Sequence, residues 1–119
     1  MIVDTDSPDI KRRLEKTTYI FGDKNPCFSS SDGHNQFFLR MIQTHFNDML
    51  RTRGYVFLNE VLTLLNIAPR MVGQLAGWRS DMSGEIEIRI EKMTILGLEV
   101  QAYILTIEPD GIILDALGD

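Results

Sequence analysis

Cys27, His34 and His45 are the side chains of this chain best suited to nucleophilic or metal chemistry, and the row Glu85, Glu87, Glu91 is the best suited to acid–base work. A thiol–imidazole pair needs hydrogen-bond reach and a third group to orient the base. Cys27 sits in the turn-rich stretch GDKNPCFSSSDG and His34 follows it, so contact is feasible, but no oxyanion motif accompanies them. His45 and Asp48 lie three apart on one helix face. A metal would need further ligands, and two histidines in the whole chain leave few. These residues therefore read as a loop cysteine, a surface histidine and a histidine at the edge of the core, with no catalytic residue, metal or cofactor assigned. There is neither a Gly-x-x-x-x-Gly-Lys-Ser/Thr loop nor a Gly-x-Gly-x-x-Gly fingerprint for phosphates. The glutamate row reads as a solvated strand face suited to a basic partner. A small hydrolase using Cys27 and His34, or the glutamates, is one alternative.

The elements that must position these residues follow from periodicity. In HNQFFLRMIQTHFNDMLRTRG the apolar residues recur at three-to-four spacing, which predicts a helix over 33–53 with Asp32 as N-cap and Gly54 as its left-handed end. Ser7-Pro8-Asp9 starts a short helix, PDIKRRLEK, whose only apolar stripe is Ile10 and Leu14. So thin a stripe suits an arm that packs on a partner. YIF (19–21) and YVFL (55–58) read as short strands. After Trp78 the period becomes two. In EIEIRIE the isoleucines 86, 88 and 90 face one way, and Glu85, Glu87, Arg89 and Glu91 the other. LEVQAYILTI (98–107) is a second strand, EPDG a turn, and IIL (112–114) a third strand pairing back on it. Glycine and tryptophan close the helical half, so the Trp78 indole should lie between the layers. Met41, Met49, Met71, Met82 and Met93 are adaptable apolar groups, suited to a core or, where exposed, to binding.

The layout is α+β: N-terminal helices on a small antiparallel sheet formed mainly by the C-terminal half. Residues 1–32 form an arm with a short helix and loop, and residues 33–119 the domain.

NEVLTLLNIAPRMVGQLAGW (59–78) poses a further alternative, a helix-turn-helix. Asn59 would cap a first helix over 60–65, Asn66 would turn, and Pro69 would start a second helix ending at Gly77. Its DNA contacts would be Arg70, Gln74 and Arg79. Phosphate grip needs several cations on one face, and these are few, so two core helices are the favoured reading.

Composition agrees with that preference. The chain has 119 residues and a formal charge of −5, with 44% hydrophobic and 24% charged residues, which suits one globular domain. The acidic balance disfavours nucleic acid as a partner. One cysteine, an acidic N-terminus and no long apolar window lead us to expect a cytoplasmic protein, of its own cell or of a host, with no membrane span.

FLRMIQTHFNDMLRTRGYVFLNEVLTLLNIAPRMVGQLAGW, closing with YILTIEPDGIILD, resembles an uncharacterised small domain family of bacterial and phage-derived reading frames. The likeness spans Phe38 to Leu114. It implies the order of elements and a mobile-element setting, and it assigns no functional residue. Together these readings lead us to expect a non-enzymatic accessory protein, acting alone or as a homodimer. It would bind another protein through Glu85, Glu87 and Glu91 and through Ile10 and Leu14.

Overall fold

The computed structural model describes residues 18–113. The arm helix with Ile10 and Leu14 lies outside the described residues, as does Leu114. Strand β1 (Thr18–Gly22) leads through a loop to helix α1 (Asp32–Arg53). Strand β2 (Tyr55–Phe57) runs directly into helix α2 (Leu58–Leu64). Strands β3 (Ala76–Arg79), β4 (Ile88–Ile95), β5 (Leu98–Ile107) and β6 (Gly111–Ile112) complete the order. They form two antiparallel three-stranded sheets, β1-β5-β4 and β2-β3-β6. The α+β class therefore stands, with helices early and strands mostly late. The single C-terminal sheet is corrected to two, and each takes one strand, β1 or β2, from the N-terminal half.

Helix α1 forms where its periodicity predicts. Its cap is Ser31, whose Oγ accepts from the His34 N–H at 3.3 Å, while the expected cap, Asp32, sits inside the first turn. A carboxylate is as favourable there, near the positive end of the dipole. Gly54 ends the helix at φ 93°, and its N–H closes on the Leu50 carbonyl at 2.9 Å. The buried side, with Leu39, Ile42, Phe46 and Leu50, covers the inner face of the first sheet. Tyr19, Phe21, Ile88, Tyr103, Leu105 and Ile107 meet it there in one core. Trp78 joins that core at 1% exposure, and its indole N–H donates to the Glu108 carbonyl at 3.1 Å. Burying so large a ring while satisfying its one donor is how tryptophan stabilises an interior.

The second helix expected over 69–77, whether in a core pair or in a helix-turn-helix, does not form. Asn66 turns in the left-handed region as expected, at φ 58°. Beyond it the chain has no regular structure until one 3-10 turn (Val72–Gln74), and it enters β3 at Ala76. The cause is long-range. Asn59, expected as a cap, lies within α2 and clasps the backbone of Arg70, donating to its carbonyl at 2.8 Å and accepting from its N–H at 2.9 Å. Gly77 then lies flat on β2, where an added Cβ would come within 2.0 Å of the Val56 carbonyl oxygen. Strand pairing of Phe57 with Gly77 and of Val56 with Trp78 thus overrides the helical pattern of MVGQLAG. The last strand is also redirected. Gly111–Ile112 pairs with Ala76 and Gly77, and not with β5.

An open sheet face with an acidic end

Alternation is the reason the glutamates face solvent, and helix α1 fixes its phase. Asn47 clasps Ile86, accepting from its N–H at 2.7 Å and donating to its carbonyl at 2.8 Å. Gln43 accepts from the Ile88 N–H at 2.8 Å. These two amides occupy the edge that a neighbouring strand would otherwise pair. Ile86 and Ile88 are thereby turned into the core, and Glu85 and Glu87 outward.

The register defines the rest of that outer face. Thr18, Thr106 and Arg89 lie side by side, and next to them Ile20, Ile104 and Glu91. The opposite face of this sheet is covered by α1, whereas Ile20 is 63% exposed. The face is thus apolar around Ile20 and Ile104 and acidic at one end. There Glu85 and Glu87 converge with Glu108 and Asp110 around a shallow groove of about 340 Å³, which Arg89 and Thr106 also line. Four carboxylates meet one guanidinium, and that one is shared, since Arg89 Nε lies 3.6 Å from Glu87 Oε1. The Asp110 carboxylate accepts from the Arg79 and Ser83 N–H groups at 3.1 and 3.4 Å, which holds the turn in place. The Trp78–Glu108 bond ties the same turn to the core. Glu91 shares the face but not the groove.

Glu108 and Asp110 escaped the sequence reading because EPDG registered only as turn chemistry. Their groove partners Glu85 and Glu87 lie just ahead of β4, far earlier in the chain, and no local pattern joins the two.

A second polar cluster joins α1 to the sheet. Asp32 accepts from Lys92 Nζ at 2.6 Å and from the Tyr103 hydroxyl. Hydrogen bonds from Lys92 and then Tyr103 hold its carboxyl below the usual 3.8. Burial, followed by the bond to Asp32, pushes the Tyr103 phenol above its usual 10.0. Asp32 and Tyr103 hold one another with Lys92 as a third member, which is the chemistry of a clasp. Beside it a groove of about 560 Å³ runs between α1 and β4 with both charge signs on its walls, Arg40 and Lys92 against Glu87.

The remaining candidates are dispersed. Cys27 is half-buried and receives a hydrogen bond from the Asn66 amide at 3.4 Å. His34 is exposed, and no hydrogen bond joins the two among the described residues. His45, expected at the edge of the core, is exposed, with its ring edge-on to Phe46 at 4.9 Å. Asp48 pairs with Arg51. Among the described residues no group of three or more His, Cys, Asp or Glu is placed to hold a metal. Arg70 donates to the Tyr19 hydroxyl at 3.0 Å, Gln74 is exposed in the 3-10 turn, and Arg79 pairs with Asp81 at 2.6 Å. These three share no helix face. No helix among the described residues is long and apolar enough to cross a membrane.

No curated protein and no solved structure matches the chain. The model of a family of unknown function (DUF6353) matches residues 3–115, nearly the whole chain and both halves of the fold described above. The chain belongs to that family.

Proposed function

We propose that this protein is a non-enzymatic binding domain whose open sheet face takes a basic segment of another protein. One observation carries the reading: the groove of Glu85, Glu87, Glu108 and Asp110 lies on the same sheet face as Ile20, which is exposed, and its half-buried neighbour Ile104. Carboxylates draw in lysine and arginine and set orientation, while apolar contact at Ile20 supplies the area that charge alone does not. The accessory role in a phage or mobile element is supported by the sequence resemblance.

The test is capture from host lysate on the immobilised full chain, read by mass spectrometry. The wild type is compared with Glu85→Lys/Glu87→Lys and with Arg40→Glu, a charge reversal on α1. A protein retained by the wild type and by Arg40→Glu but lost with the double variant is the expected result. Identical captured sets for all three chains would refute it.

A further inference from the structure

Strand β4 lies at the edge of its sheet, so one row of its backbone groups has no strand to pair with. In an antiparallel ladder the N–H and C=O of one residue point the same way, and successive residues alternate. The Ile86 and Ile88 N–H groups meet side chains of α1, so they point away from β5. Ile90, two residues on and in unbroken register with Leu105, points outward too. Helix α1 covers the first two positions. Asn47 takes both groups of Ile86, and Gln43, one turn earlier, takes the Ile88 N–H. The next turn back brings Leu39 and Arg40, and neither offers an amide. The substitution for a strand therefore stops at Ile88. Among the described residues no group bonds to the outward N–H and C=O of Ile90. The groove of about 560 Å³ opens at this point, with Ile90 on one wall and Arg40 on the other.

We propose that an extended, acidic segment of another protein adds to β4 here as a further strand, lying in the groove between β4 and α1. The backbone dictates the extended form. An outward N–H and C=O on one edge residue are met together by the C=O and N–H of an added strand. Asn47 and Gln43 already make, on the same edge, bonds that such a strand would make. Arg40 dictates the charge. It is exposed, and no carboxylate among the described residues pairs with it. Glu87, the one carboxylate lining the groove, lies 3.6 Å from Arg89, and Lys92 is held by Asp32. An acidic side chain alternating toward α1 meets Arg40, and that contact sets orientation. A second copy of β4 fits less well, because two such edges would bring two Arg40 guanidiniums together.

The edge site differs from the proposed acidic face in place and in charge. Glu87 borders both grooves, but Arg40 lines only this one. Arg40→Glu therefore acts on the edge site and leaves the open sheet face as it is.

Amide chemical shifts of the full chain, titrated at low salt with the peptide acetyl-Val-Glu-Val-Glu-Val-amide, test it. Saturable shifts are expected over residues 88–92 and over 36–44 of α1. At saturation, hydrogen exchange of the Ile90 amide should slow about 10-fold or more. The same peptide with every backbone amide N-methylated keeps its side chains and loses its donors, so it should bind about 10-fold more weakly or worse. Arg40→Glu should weaken the unmodified peptide by about 10-fold or more. Ile90→Pro removes the donor where an edge strand tolerates proline, and should abolish binding. Circular dichroism checks that each variant stays folded, and Arg40→Glu, at an exposed position, keeps the test valid if Ile90→Pro does not fold. Unchanged exchange at Ile90 would overturn the inference. So would equal binding of the N-methylated peptide, equal binding by Arg40→Glu, or shifts that fall elsewhere.

Discussion

Trp78 and Asp32 show what a single residue can and cannot announce. The position of Trp78, at the change from helical to two-residue periodicity, is a local signal, and the indole is buried between the layers as that signal implies. Truncating a buried tryptophan costs roughly 3–5 kcal/mol, a large share of a small domain's stability. Trp78→Ala should therefore be insoluble or molten, whereas Glu87→Gln, on the surface, should unfold like the wild type. Thermal unfolding followed by fluorescence distinguishes them.

Asp32 reads in sequence only as a helix-start acid. Its partner Tyr103 lies 71 residues away, so the clasp becomes visible only when the sheet is assembled. Its pH signature follows from the direction of each shift. The Asp32 carboxyl is lowered from 3.8, so its contribution is present above that value and disappears as pH falls through the lower folded value. Tyr103 is raised from 10.0, so its contribution is present below that value and disappears as pH rises through the higher folded one. Asp32→Asn should lower the denaturation midpoint at pH 7, and the gap to wild type should close in acid below 3.8. A gap that stays constant down to pH 2 would show that the carboxylate does not titrate with folding.

Elements were legible where their pattern is local. Helix α1 lies where its period places it, because that pattern reports one side of burial over many residues, and β5 spans the run LEVQAYILTI read as a strand although its alternation is blurred. Strand β3 was not legible. Nothing within AGWR marks a strand, since its conformation depends on Gly77 fitting against the backbone of Val56. Gly77→Ala should accordingly cost the upper end of ~1–3 kcal/mol or beyond, measured by urea denaturation. A near-neutral result would mean that β2 and β3 are not held this closely.

The hairpin between β4 and β5 makes the opposite prediction. Its two-residue turn places Leu96 at φ 52° and Gly97 at φ 77°, the geometry that favours Asn-Gly. Leu96 is 97% exposed, so its side chain pays the left-handed strain with little burial in return. Leu96→Asn should stabilise the protein by about 1 kcal/mol. An unchanged or lower melting temperature would contradict this.

At the scale of the whole molecule, helix α1 divides the surface into two working sides. It seals the inner face of the first sheet, and through Asn47 and Gln43 it dictates which way the stretch leading into β4 presents its glutamates. Half of the acidic groove, Glu85 and Glu87, was therefore visible as alternation. The other half arrives from the Glu108–Asp110 turn, which only the fold brings alongside. Binding through such a groove should weaken as salt rises, because exposed charges are screened beyond about 8 Å at physiological ionic strength.

The most direct measurement is an amide chemical-shift titration of the full chain with a basic, extended probe, the peptide acetyl-Lys-Val-Lys-Val-Lys-Val-amide, at low salt. Saturable shifts are expected, confined to β1, to residues 85–91 and to the stretch from Ile104 to Asp110, all abolished in Glu85→Lys/Glu87→Lys. Shifts centred on Phe37 and Met41, or none that saturate, would contradict the claim that the open sheet face is where this protein binds.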